Sequence, residues 1–415
     1  MSEILLTNIK TIYQTDNFFK RGSEMDSISS IDNAWMLMDN ISGKIISLGK
    51  MDEIPNHQAE IIDMENRVIM PTWVDSHTHL VFAKSREQEF VDRIHGLSYQ
   101  EIASRGGGIL NSVEHTRQMS EDELFEKSLV RLNNIISLGT GAVEIKSGYG
   151  LNLESELKLL KVINRLKDIS PIPIKSTFLG AHAIPKEFKD DKKGYIHLII
   201  NEILPEVAKN NYADFCDIFC EKDYFDYDDV INIMTEAKRY GIIPKVHAEQ
   251  LSHSNGIEAG VKVGAISVDH VEFANLSDFE FLKNSSTIPN ILPGAAYFLG
   301  LPNPPVRKMI DYGLGISIAS DFNPGSSPTG NMHLMTSIAC VQYKITPNEA
   351  INAATINSAY AMNVSNLVGS ISENKFANFI ILKDVQNLNF IPYSIGMNII
   401  DEVWINGKPF KNNNL

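Results

Sequence analysis

The hydrophobic and polar positions of this chain fall into three stretches of different character. Over the first sixty residues, short runs of apolar and β-branched residues such as ILLTNIKTIY and NAWMLMD alternate with polar turns, a pattern that predicts strands. The Ser-Gly pair in DNISGKII predicts a tight turn into a further strand. The tail has the same character, with NFIILKDV followed by EVWINGKPF and Asn406-Gly407 as a hairpin-type turn. Between these ends, apolar runs that finish in polar residues are separated by helical patterns. ESELKLLKVINRLKDI (154–169) places Leu157, Leu160 and Leu166 on an apolar face, and DDVINIMTEAKRYG stops at Gly241 in the position of a helix C-cap.

The central strand-like runs number about eight, as a closed βα barrel requires: VIMPTWVDSH, GAVEIKSG, IPIKSTFLGAH, DFCDIFCE, IPKVHAE, ISVDHVEF, TIPNILPG and GISIASDF. Each is nearly continuous in apolar residues, as parallel strands buried on both faces are. His, Asp and Glu gather at their C-terminal ends, the edge that carries the chemistry in such barrels. The fold class expected is therefore α/β, a (β/α)8 barrel. An open doubly wound sheet with a dinucleotide site is not supported, because no G-x-G-x-x-G opens the first helix.

Composition narrows the function classes. The chain has 415 residues, 43% of them hydrophobic, and a formal charge of −14, which opposes contact with phosphate backbones and excludes nucleic acid as the expected partner. No run approaches a membrane span, and the start MSEILLTNIK lacks the basic n-region of a signal peptide, so a cytoplasmic protein is expected. Three cysteines cannot make a disulfide framework; Cys216 and Cys220 are read as buried small apolar residues.

Asp75-Ser76-His77-Thr78-His79 ends the first barrel run. Residues i and i+2 on a strand share a face, so His77 and His79 present two imidazoles to one point. His247 ends IPKVHAE and Asp321 ends GISIASDF, and in a closed barrel all four converge at one mouth. Three nitrogens and a carboxylate suit zinc or iron about equally. An isolated H-x-H is more often a solvent pair; four converging groups reverse that weighting. Lys222 comes too late after the fourth run to bridge a second ion, so one metal per subunit is expected. The glycines Gly106-Gly107-Gly108 lack the Lys-Ser/Thr of a phosphate loop.

VIMPTWVDSHTHL resembles the first-strand signature of the amidohydrolase superfamily, with Pro71-Thr72 where Pro-Gly is usual. More narrowly, HTHLVFAKSREQEF, SRGGGILNSVEHTR, EIKSGYGLNLESELK, STFLGAHAIP, VHAEQLS, SVDHVE, ILPGAAYFLG and SDFNPGSSPTGNMHL resemble the imidazolonepropionase family, in order and from about residue 66 to beyond 360. The flanks resemble that superfamily's small composite β-sandwich. The division expected is 1–65 and 360–415 for the sandwich and 66–359 for the barrel.

The resemblance implies a hydrolase that opens the cyclic amide of 4-imidazolone-5-propionate to N-formimidoyl-L-glutamate in histidine degradation. It implies His77, His79, His247 and Asp321 as metal ligands, with Asp321 moving the proton of the attacking water. It implies His270 as the group that polarises the carbonyl. Arg86 would grip the propionate, since its fork suits a carboxylate, while Tyr149 and His182 hold the substrate. Asn323, Gly325 and Ser326 would close over it. Gln250 stands where some relatives carry Glu; an amide hydrogen-bonds the ring but accepts a proton poorly, which leaves proton transfer to Asp321. The partner implied is a small anionic imidazolone, and the assembly a homodimer. The alternatives are a deaminase or other cyclic amidase, which has no propionate for Arg86 and Tyr149 to serve, and a non-catalytic scaffold, which typically loses metal ligands.

Overall fold

The computed structural model describes residues 3–56, 58–97, 101–102 and 105–412, so Ser104 of the SRGGG segment and the outermost residues of both expected flanks lie outside the described residues. Five strands come first: β1 (Glu3–Tyr13), β2 (Ser30–Asp39), β3 (Lys44–Lys50), β4 (Glu60–Asp63) and β5 (Val68–Pro71). Eight follow in the middle: β6 (Trp73–Asp75), β7 (Thr140–Lys146), β8 (Ile174–Ala181), β9 (Phe215–Cys220), β10 (Ile243–Ala248), β11 (Ser267–His270), β12 (Ile288–Ile291) and β13 (Ser317–Ile318). The tail adds β14 (Phe379–Leu382), β15 (Ile400–Ile405) and β16 (Lys408–Pro409).

β6 to β13 pair in sequence order and all in parallel, with helices between them. A bridge between Thr78 and Phe322, just beyond β6 and β13, joins the two edges into a barrel. The remaining strands make one mostly antiparallel sheet, in the order β16-β15-β14-β5-β1-β2-β3 with β4 also on β1. The expected sandwich takes the form of this continuous sheet.

VIMPTWVDSH, read from the sequence as one barrel strand, is two strands. Val68–Pro71 pairs with β14 and β1 of the flanking sheet, and only Trp73–Asp75 enters the barrel, with Thr72 as the joint. Strand alternation sorts the side chains of this junction. Val68, Met70, Ile380 and Leu382 join the barrel's core, while Ile69, Phe379, Ile381 and Trp404 form a second core with Ile4, Leu6 and Met36.

The helices follow their signals. Asn152 caps Leu153–Ile169, whose inner face is Leu159, Leu160, Ile163 and Leu166, all fully buried; Leu157 lies at its margin. Replacing one of the four by Ala would cost about 2–5 kcal/mol. Asp226 caps Tyr227–Arg239, which ends before Gly241 at φ 75°, the left-handed position expected of a C′ glycine. Among the described residues no helix is long and apolar enough to cross a membrane.

Candidate active site

The barrel's closing seam carries the first candidate ligands. Beyond β6 the chain stays extended, and the Asp321 N–H donates to the His77 carbonyl (3.0 Å) while the His79 N–H donates to that of Phe322 (2.9 Å). Sewing the first and last strands together thereby brings two imidazoles and a carboxylate to one point. Asp321 sits at φ 54°, and His270 and Val271 at φ 86° and 62°, left-handed conformations that non-glycine residues adopt at a cost of about 1–3 kcal/mol and that cluster at functional sites. His247, on β10, completes the cluster.

His77 Nε2 lies 3.3 Å from His79 Nε2, and Asp321 Oδ1 lies 3.5 and 3.6 Å from these two atoms. One nitrogen from each of His77, His79 and His247 falls within 4.8 Å of the others, as do ligand atoms of His77, His270 and Asp321. Behind them, His77 Nδ1 is 2.6 Å from Asp269 Oδ2 and His247 Nδ1 3.0 Å from Asp217 Oδ2, which leaves the Nε2 atoms for the cluster. His247 Nε2 is buried without a hydrogen-bond partner among the described residues. Burial lowers the pKa values of His77 and His79, with Lys146 adding to the effect at the first and His182 at the second, so both favour the neutral form that binds metal.

Beneath the ligands lies a fully buried polar layer that the sequence reading did not single out. Lys146 Nζ donates to Glu144 Oε1 (2.6 Å) and Asp217 Oδ2 (2.8 Å), and Lys245 Nζ donates to Glu144 Oε2 and to the Ser76 carbonyl (3.0 Å). Burial works against the charge of Lys146, but Asp217, Glu144 and Asp269 outweigh it and raise its pKa. Two ammonium groups against three carboxylates leave one negative charge, and Asp321 brings a second. An uncompensated buried pair of this kind is strongly unfavourable. A divalent cation beside the unpartnered His247 Nε2 and the facing Nε2 atoms of His77 and His79 would balance it, so the residues present fit such an ion.

Of the twelve residues singled out from the sequence, ten line a single cavity: His79, Arg86, Tyr149, His182, His247, Gln250, His270, Asp321, Asn323 and Ser326. His77 lies buried behind the cavity, and Gly325 lies under Arg86. A Cβ at Gly325 would fall 1.2 Å from Arg86 Nη2, so the guanidinium occupies the space that only a glycine leaves. Arg86 Nε and Nη1 are buried without hydrogen bonds among the described residues; the nearest carboxylate contact is Glu89 at 3.6 Å. Donors left open in this way can take a carboxylate.

The other side of the cavity rests on the loop after β7. Glu156 accepts hydrogen bonds from the N–H groups of Gly148 (3.1 Å), Gly150 (2.7 Å) and Leu151 (2.9 Å), which fixes Tyr149 among them. His182 Nδ1 lies 2.9 Å from the Gly148 carbonyl, and its ring stacks on His79 at 5.1 Å. Burial and His247 lower the pKa of His182 to about 3, which keeps it neutral. Asn323 lines the cavity and also organises its loop: its amide donates to the Asp321 carbonyl (2.6 Å) and Ser326 Oγ (2.8 Å) and accepts from the N–H groups of Gly325 and Ser326. His270 Nδ1 faces Glu272 Oε1 at 3.7 Å, and this carboxylate is buried with no hydrogen bond among the described residues. Burial works against protonation of His270, but Glu272 outweighs it and raises the imidazole's pKa.

Glu144, Lys146, Asp217, Lys245, Asp269 and Glu272 had one available signal. Apart from Asp217, which stands between Phe215 and Phe219, each sits two residues from another polar group (Glu144 with Lys146, Lys245 with His247, Asp269 with Ser267, Glu272 with His270), in the period-2 pattern of a strand or its immediate continuation. Elsewhere Cys216 and Cys220 are buried free thiols, and Lys222 lines a neighbouring cavity of about 330 Å³. His333 is buried against the Ile391 carbonyl, and His253 pairs with Asp278.

A parallel barrel with a flanking sheet, and a histidine–aspartate cluster on its closing seam, define a metal-dependent hydrolase of the amidohydrolase class. The family model described as amidohydrolase family matches residues 299–410. In fold the chain is similar to a triazine hydrolase variant (TM-score 0.74, 13% identity, 99% of this chain and 94% of that one). It is also similar to a zinc-bound adenosine deaminase from Xanthomonas campestris (TM-score 0.70, 13% identity, 98% and 92%). Curated relatives are far closer in sequence. The imidazolonepropionase of Christiangramia forsetii is 52% identical over 98% of this chain and 99% of its own, and that of Thermoanaerobacter pseudethanolicus 41% over 97% and 96%. The chain belongs to the imidazolonepropionase family.

Proposed function

We propose that the chain hydrolyses the ring amide of 4-imidazolone-5-propionate to N-formimidoyl-L-glutamate. The observation that carries this reading is identity of 52% along nearly the whole chain to a relative named for that activity. Arg86 Nε and Nη1, buried in the same cavity without hydrogen bonds among the described residues, support it, because a propionate would satisfy them.

His77, His79, His247 and Asp321 would hold one zinc or iron ion per subunit. Such an ion supplies Lewis acidity, which makes water nucleophilic at neutral pH and polarises a carbonyl. The remaining steps belong to the chain. Arg86 takes the propionate, while Tyr149, His182 and Gln250 set the ring against the cluster. His270, oriented through Nδ1 by Glu272, donates to the carbonyl oxygen as negative charge develops there. Asp321 accepts the proton of the attacking water and passes it to the ring nitrogen as the C–N bond breaks, so that atoms and charge balance. The assembly belonging to this reading is a cytoplasmic homodimer that binds no nucleic acid.

Loss of imidazolone absorbance with fresh substrate tests the reading. Turnover should require metal, stop with a chelator and return with zinc or iron. Asp321→Asn should lower kcat by at least about a hundredfold with the melting temperature preserved. A metal-loaded protein that leaves the substrate intact sinks the assignment, and near-normal turnover in the variant removes Asp321 from proton transfer.

A further inference from the structure

The polar layer beneath the ligands converges on one ammonium group. Lys146 Nζ lies 2.8 Å from Asp217 Oδ2 and 3.8 Å from Asp269 Oδ2. These are the same two oxygens that face the Nδ1 atoms of His247 and His77, at 3.0 and 2.6 Å. We propose that Lys146 is a positioning residue for the metal centre, holding both carboxylate–imidazole pairs in a single geometry. The inference rests on the reading of His77, His79, His247 and Asp321 as metal ligands and deepens it.

The argument is one of remaining freedom. Each aspartate already has one oxygen tied: Asp217 Oδ1 accepts from the Ile218 N–H (2.7 Å) and Asp269 Oδ1 from Ser267 Oγ (2.6 Å). What is left to fix is the second oxygen of each, the one that aims an imidazole. Lys146 reaches both from the end of β7, and Glu144 anchors it from two residues earlier on that strand (2.6 Å). Glu144 is itself held by Thr177 Oγ1 (2.5 Å) and by Lys245. Lys245 lies 3.8 Å from Asp269, and among the described residues no ion pair links it to Asp217. Among the described residues Lys146 is therefore the ammonium that touches both clamps. Without it, Asp217 and Asp269 are like charges in a low-dielectric layer, where repulsion drives them apart and turns the imidazoles with them. Groups that aim metal ligands in this way typically contribute about 10–100-fold in metal affinity or activity.

The test uses the whole protein loaded with zinc, and with cobalt(II) for its d–d absorption. Lys146→Met and the charge-balanced double variant Lys146→Met/Glu144→Gln are compared with the unaltered protein by melting, by rate of metal loss to excess chelator and by the cobalt spectrum. At least one variant should fold, lose metal about 10–100-fold faster and show shifted d–d bands. Its KM at saturating metal should stay within about twofold while kcat falls. A folded variant with unaltered metal loss and spectrum overturns the proposal. Failure of both variants to fold overturns it too, because Lys146 then serves the fold. Unaltered protein that takes up neither zinc nor cobalt sinks the ligand reading instead, so the two failures are distinguishable.

Discussion

Gly325 decides where Arg86 sits. Its missing Cβ is the space filled by the guanidinium, while Arg93 donates to the Gly325 carbonyl (2.8 Å) and holds the loop down. Gly325→Ala should therefore displace Arg86 without touching the ligands. A charged hydrogen-bonded pair contributes about 1.5–3 kcal/mol, so KM should rise by about tenfold or more, with kcat and metal content near normal. Steady-state kinetics and metal analysis check this; an unchanged KM would take Arg86 out of carboxylate recognition. At this scale the residues at strand ends were legible, because a polar group that stops an apolar run has few reasons to be there. Lys146 and Asp217 were not. A charge inside a run buried on both faces gives no sign of whether it meets a helix or the barrel axis, and only closure of the barrel shows that five such charges meet.

Among the elements, the segment from Lys146 to Asn152 shows how a helix serves the cavity. Glu156, one turn into Leu153–Ile169, collects three backbone N–H groups and so holds Tyr149 and the carbonyl that orients His182. Gly148 is needed here at φ 99°, where a Cβ would come within 2.9 Å of His182 Nδ1. Glu156→Ala leaves those donors buried and unmet. The expected outcome is a loss of about 2–4 kcal/mol in urea unfolding and a KM that rises more than kcat falls. A stable loop with unaltered KM would make Glu156 irrelevant to substrate. The helices and most strands were legible from periodicity, but VIMPTWVDSH was not, since hydrophobicity states that a run is buried and says nothing about which sheet buries it. Hydrogen bonding to β14, more than three hundred residues away, divides it.

For the whole molecule, the formal charge of −14 draws no anion toward the mouth, so in the proposed reading attraction is local to Arg86 and the candidate metal cluster. The excess negative charge buried under the cluster makes metal binding part of the stability of the barrel. At free metal about a thousandfold above Kd, stabilisation should reach about 4 kcal/mol, read as a higher melting temperature that a chelator abolishes. Equal melting with and without metal would show that the layer is balanced by other means. The flanking sheet bears on how the chain is made. β5 lies between β1, its predecessor, and β14, which leaves the ribosome roughly three hundred residues later. At about 5–20 residues per second that interval is roughly 15–60 s. Throughout it the apolar edge of Val68–Pro71 has no partner on one side, at the root of the strand that leads to His77. A nascent chain caught in that interval offers a chaperone, or a stray strand from another molecule, an unpaired docking edge.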